Sequence, residues 1–184
     1  MSPLRRRKLL KLFAVTDVDG NGVIELEDYR RVLEFLSQRR GWGQDHPDYQ
    51  RLQTMLAKNW ESLQSTADIN GDGMVTQTEW LTTWENFYQQ LPTSDSVPAW
   101  FEQFARALFE ALDIDSDGRI CKADYQTFLE AHGLSEDVDT IFSRLDLNGD
   151  GHISWDEALQ LAAEFHLGDD ADAPGCWLYG ELTA

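Results

Sequence analysis

Four stretches of the chain set oxygen-bearing side chains at alternate positions and follow them with a glycine. Asp17, Asp19 and Asn21 precede Gly22; Asp68, Asn70 and Asp72 precede Gly73. Asp113, Asp115 and Asp117 precede Gly118; Asp146, Asn148 and Asp150 precede Gly151. Each stretch then carries Ile or Val two residues on, and a carboxylate at its twelfth position: Asp28, Glu79, Asp124 and Glu157. Such a donor set suits a hard divalent cation, which takes oxygen ligands. Alternate side chains at positions 1, 3 and 5 converge on one point. The glycine permits a sharp turn with positive φ. The carbonyl of the seventh residue turns inward, so Val23, Met74, Arg119 and His152 are free to differ in side chain. The twelfth carboxylate closes the cage from the next helix, and Glu25 adds another at position 9 of the first stretch.

This is the pattern of the EF-hand calcium loop, met four times at 17–28, 68–79, 113–124 and 146–157. One such loop is a modest signal, because surface turns are rich in Asp, Asn and Gly. The flanks remove the ambiguity. Ala105, Leu108, Phe109 and Leu112 precede the third loop, and Val138, Ile141, Phe142 and Leu145 the fourth, both at helical spacing. Trp60, Leu63 and Ala67 precede the second. The outgoing segments carry Tyr29, Val32, Leu33 and Leu36, then Trp80 and Trp84, then Tyr125, Phe128 and Leu129, then Leu161, Ala162 and Phe165. The expected fold is all-α: four EF-hands as two packed pairs in one compact globule, with short β-bridges between paired loops.

The elements that position these loops follow from breakers and caps. Pro3 opens a first helix with Leu9, Leu12, Phe13 and Thr16 on one face. Arg5, Arg6, Arg7 and Lys8 ahead of Leu9 and Leu10 imitate a signal peptide, but Lys11 and Asp17 interrupt the apolar stretch. Gly41-Trp42-Gly43 ends the second helix, and Asp45-His46-Pro47 begins a long third one to about residue 67. Leu91-Pro92 ends the second hand, and Thr93–Pro98 links the halves. Gly133 ends a helix and Ser135 is expected to cap the next. The division expected is an N-terminal pair in 1–92, a C-terminal pair in 93–168, and a tail in 169–184 whose Cys176, Trp177, Leu178 and Tyr179 dock on the domain.

Charge narrows the function. The 184 residues hold 33 acidic and 15 basic side chains, a net charge of −18. Residues 1–92 carry a net −2 and residues 93–184 a net −16. That density destabilises a compact state unless cations neutralise it, and it excludes an extended nucleic-acid footprint. No apolar run is long enough to span a membrane. Two cysteines, Cys121 and Cys176, suit a reducing cytosol. The histidines and cysteines lack zinc-ligand spacing, and no phosphate loop or nucleophile elbow is present. An enzyme is not expected, and a cytoplasmic monomer is.

With these motifs in hand, the chain resembles the sarcoplasmic calcium-binding protein family, and its calerythrin-like members most. Phe165-His166-Leu167-Gly168 and Asp172–Trp177 look like that family's closing segment, and Asp28 like its first-loop closure. The resemblance implies two EF-hand pairs and a role in Ca²⁺/Mg²⁺ buffering. Family members often carry a degenerate loop, whereas all four are intact here, so up to four Ca²⁺ are expected. The shorter Asp28 and Asp124 point to Mg²⁺ at loops 17–28 and 113–124. A calcium sensor acting on an unknown target protein is the alternative. Against it, only Met1, Met55 and Met74 could build an adaptable Met-rich groove. His166 with Trp177 and Tyr179 is similar to the luciferin-contacting aromatics of calcium photoproteins, which leaves a small-ligand carrier third; core packing is the preferred reading of those residues.

Overall fold

The computed structural model describes residues 1–90, 99–113 and 115–182, without the side chains at 99, 100, 103, 104, 107, 108 and 111. The Leu91-Pro92 stop, the Thr93–Pro98 link and the Leu108 contact expected above lie outside the described residues.

Eight α-helices alternate with four two-residue strands among those residues: α1 Pro3–Thr16, β1 Val23–Ile24, α2 Leu26–Arg40, α3 Pro47–Ala67, β2 Val75–Thr76, α4 Gln77–Gln90, α5 Ala99–Leu112, β3 Ile120–Cys121, α6 Lys122–Ala131, α7 Val138–Leu145, β4 His152–Ile153 and α8 Trp155–His166. A 3₁₀ turn, Pro174–Trp177, follows. Each strand is the second half of a loop, so every loop sits between an incoming and an outgoing helix.

Two structural units divide these elements. One runs from Leu10 to the end of α4 and includes Ala131–Gly133. In it β1 pairs antiparallel with β2, Ile24 opposite Val75. Both side chains are fully buried, which is why the eighth loop position must be apolar. Around them Phe13 meets Trp80 edge to face, as Trp80 meets Trp84. Gly41 ends α2 in the left-handed region at φ 68°, as the Gly41-Trp42-Gly43 break predicts. His46 caps α3, its ring nitrogen accepting from the Asp48 amide, with Pro47 in the first turn.

The second unit joins Met1–Leu9 to the remaining C-terminal elements. Here β3 pairs with β4, Ile120 opposite Ile153. Phe101, Phe109, Leu112, Tyr125, Ile141, Phe142, Leu145, Leu161 and Phe165 are buried. One expectation fails locally. Ser135 does not cap α7; Asp137 does, accepting the Thr140 amide at 3.3 Å. Gly133 does end α6, left-handed at φ 68°, with the Leu134 amide closing back on the Leu129 carbonyl at 2.9 Å.

The tail docks in this unit. Cys176, Leu178 and Tyr179 are buried, and the 3₁₀ turn packs on α8 and α7. Gly175 approaches α8 so closely that an added Cβ would lie 2.4 Å from the Leu161 carbonyl. Its amide donates to Glu164 Oε2 at 2.8 Å, and Arg144 stacks on Trp177.

Candidate metal centre

In every loop the position-1 aspartate is drawn inward by backbone amides. The position-6 glycine donates to its Oδ2: Gly22 to Asp17 at 2.9 Å, Gly73 to Asp68 at 3.0 Å, Gly118 to Asp113 at 3.0 Å and Gly151 to Asp146 at 2.8 Å. The position-5 amides of Asn21, Asp72, Asp117 and Asp150 donate to the other oxygen. The position-5 side chains accept from the position-7 amides of Val23, Met74, Arg119 and His152. Asp19, Asn70, Asp115 and Asn148 at position 3 accept from position 5 as well. Each loop is thereby wound around its own side-chain oxygens.

The winding needs left-handed backbone. The four position-6 glycines have φ between 85° and 91°. Position 4 is also left-handed: glycine fills it in three loops, while loop three holds Ser116 at φ 61°. A side chain there costs about 1 kcal/mol, a local strain confined to that loop.

The twelfth residue ties the loop shut. Glu79 Oε1 accepts from the Ile69 and Asn70 amides, while Oε2 accepts from the Thr76 amide and hydroxyl. Glu157 repeats this with Leu147, Asn148 and Ser154. Asp28 reaches the same amides with a shorter arm: Oδ1 accepts from Val18 and Asp19, Oδ2 from Glu25. It does so by sitting deeper, 1% exposed against 8% for Glu79 and Glu157. Asp124 accepts from Cys121 at 3.0 Å. Glu25 lies at the rim, bonded to Asn21 Nδ2.

Thr76 and Ser154 were not singled out from the sequence, although their signal is present. Thr76-x-x-Glu79 and Ser154-x-x-Glu157 are capping boxes, with the Glu79 and Glu157 amides returning a bond to each hydroxyl. The cap that starts α4 or α8 therefore also aims the closing glutamate.

The loops differ in electrostatics. Carboxylate oxygens of Asp17, Asp19 and Asp28 lie within 4.8 Å of one another, as do those of Asp113, Asp115 and Asp117. Burial, then like charge from Asp19, raises the Asp28 pKa against its amide bonds. Burial and the charges of Asp117 and Asp115 raise that of Asp113. In loops two and four the balance reverses. Thr76, through amide and hydroxyl, lowers Glu79; partial desolvation of Asp68 and Glu157 is outweighed by amide bonds, so both fall. Arg31 lies 3.4 Å from Asp19 Oδ2 and partly offsets the charge of loop one. The Cys121 thiol is raised by burial and by Asp124, so it stays protonated.

The donor set suits a hard cation: carboxylate oxygens converge in loop one (Asp17, Asp19, Asp28) and in loop three (Asp113, Asp115, Asp117), while in loops two and four the position-1 and position-12 carboxylates are held by backbone amides. A family model described as an EF-hand domain pair matches residues 101–163, and one described as an EF hand matches residues 10–33. Those two segments match EF-hands.

Among relatives, the chain is 26% identical over 164 residues to calerythrin of Saccharopolyspora erythraea, covering 88% of this chain and 91% of calerythrin. Two solved structures share its fold. A sarcoplasmic calcium-binding protein from amphioxus aligns at TM-score 0.71 and 22% identity over 98% of each chain. Coelenterazine-binding protein from Renilla muelleri, in a calcium-loaded apo form, aligns at TM-score 0.79 and 21% identity, covering 98% of this chain and 99% of that one. No described helix is long and apolar enough to cross a membrane.

Proposed function

We propose that the chain binds Ca²⁺ at all four loops and buffers Ca²⁺ and Mg²⁺ in the cytoplasm, as a non-enzymatic monomer. The ligands are the oxygens of Asp17, Asp19, Asn21, Val23, Glu25 and Asp28; Asp68, Asn70, Asp72, Met74 and Glu79; Asp113, Asp115, Asp117, Arg119 and Asp124; and Asp146, Asn148, Asp150, His152 and Glu157. At position 7 the ligand is the backbone carbonyl. A bound ion neutralises the loop carboxylates and ties an incoming helix to an outgoing one. Loops one and three, closed by aspartate, take Mg²⁺ or mixed ions, and loops two and four select Ca²⁺. The pairs correspond to 1–92 and 93–168, with 169–184 as the tail.

The observation that carries the ion-binding reading is the winding of all four loops around their position-1 aspartates, with carboxylates gathered in loops one and three. Buffering is favoured over sensing by the tail. A sensor opens an apolar groove for its target, but here Cys176, Leu178 and Tyr179 already cover the C-terminal hands. The cavity beside Tyr125 and Tyr179 measures about 20 Å³, room for a single water, so these two tyrosines are read as core packing and not as a small-ligand site. The deciding experiment compares fluorescence of a hydrophobic dye with the full chain in Ca²⁺ and in Mg²⁺. Equal, weak signals are expected of a buffer. A strong signal with Ca²⁺ alone would establish the sensor.

A further inference from the structure

We propose that Lys8 is a positioning residue for the fourth loop: it closes the far end of α8 and so fixes the helix whose first turn carries Glu157. This rests on the ion-binding reading above and assigns a role to a residue outside every loop.

Lys8 is 1% exposed, among the most deeply buried side chains. An ammonium is placed there only where its donors are used. Its Nζ donates to the carbonyls of Glu164 at 2.8 Å and Gly168 at 3.3 Å, and lies 5.8 Å from the Phe165 ring centroid. Arg5 Nη2 donates to the Leu167 carbonyl at 2.6 Å. These carbonyls belong to the last turn of α8 and the residues just past it, the negative end of the helix dipole.

The backbone closure of helix α8 converges on one carbonyl: the Leu167 and Gly168 amides both donate to Ala163, at 2.8 and 3.1 Å. Its C-cap, Leu167, is right-handed at φ −110° rather than a left-handed glycine. Gly168 meets the helix so closely that an added Cβ would lie 2.6 Å from the Glu164 carbonyl. The two cations take the carbonyls of Glu164, Leu167 and Gly168 beyond that closure. The arm that brings them is itself fixed: Ser2 Oγ accepts the Arg5 amide at 3.1 Å and donates to Asp169 Oδ1 at 2.6 Å.

The two ends of α8 are mechanically one. Glu157 and Glu164 are seven residues apart, two turns on one face. At one end Ser154 and Glu157 form the capping box that closes loop four. At the other Lys8 holds the Glu164 carbonyl, and the Glu164 carboxylate holds the tail through Gly175. Freeing that end lets α8 tilt and moves Glu157 away from the Leu147 and Asn148 amides.

The test is a calcium titration of the full chain by two-dimensional amide NMR. The position-6 glycines Gly22, Gly73, Gly118 and Gly151 report the four loops separately. Lys8→Met is expected to weaken the Gly151 midpoint about tenfold, the low end of what losing a group that orients a metal ligand costs, and to leave Gly73 unchanged. Arg5→Ala, which retains Lys8, is expected to move Gly151 the same way by about threefold, and decides the matter if the Lys8→Met chain fails to fold. Gly151 midpoints within twofold of the parent in every variant that folds, or equal shifts at all four glycines, would overturn the proposal. A parent chain whose glycines ignore calcium would defeat the ion-binding reading itself.

Discussion

The Tyr125 hydroxyl donates to the Leu178 carbonyl at 3.2 Å, tying the first turn of α6 to the C-terminal tail. It shares the bond with Trp177, also at 3.2 Å. Tyr125 directly follows Asp124, the closing residue of loop three. Burial raises the phenol above its ordinary range, so it stays a donor at every physiological pH. Loop three and the tail are thus one buried contact apart.

Replacing Tyr125 with Phe keeps the ring and strands buried carbonyls. The expected loss is about 1–3 kcal/mol of stability, read by denaturant unfolding in excess calcium. Increased dye binding should accompany it as the tail loosens. Unchanged stability and dye binding would mean that the tail is held without this bond.

Selectivity is expected to follow the twelfth position. Asp28→Glu and Asp124→Glu should each raise calcium-over-magnesium preference, because the longer arm offers both oxygens to a larger ion. The depth of Asp28 adds a cost. One more methylene at a site 1% exposed should destabilise by about 1 kcal/mol. Titrations showing an unchanged preference would remove position 12 as its determinant.

The loops and their helices were legible in the sequence because ligand spacing and apolar spacing agreed at every repeat. The bridges followed from Ile24, Val75, Ile120 and Ile153. Lys8 was not legible as a core residue, because a run of basic side chains reads as solvated. The available signal was its place four residues before Leu12 and seven before Val15, on a buried stripe. Its partners, the carbonyls near residue 166, are set by tertiary packing that no local pattern encodes. Ser135 and Asp137 are both cap residues by type, and local pattern does not choose between them: the chain runs on without helix from Leu134 to Asp137, which starts α7.

His166 gives the stability a pH signature. It is fully buried beside Tyr179, at 3.3 Å, and Phe101. Burial, with the Lys8 charge, depresses its pKa to about 3. The unfolded chain takes that proton near pH 6.5. Between those values the unfolded state binds more protons, so stability rises with pH across the window. In excess calcium, His166→Gln should flatten the dependence between pH 5 and 6.5 by up to about 1.4 kcal/mol per unit. Parallel profiles for the two chains would contradict this.

Asp113 should act in opposite directions with and without ions. Burial and its neighbours Asp115 and Asp117 make its charge unfavourable in the fold. Asp113→Asn is therefore expected to stabilise the chain in excess chelator, where near-ultraviolet dichroism should report a loose C-terminal half. The same substitution should weaken calcium binding at loop three by tenfold or more, since it removes a charged ligand. Destabilisation in chelator would show that the carboxylate's amide bonds outweigh its repulsion.

Calcium calorimetry on the chelator-stripped chain, with and without cellular magnesium, tests the central claim most directly. Four ions per chain are expected, two of them weakened by magnesium competition at loops one and three. Two or fewer calcium ions per chain would contradict the account.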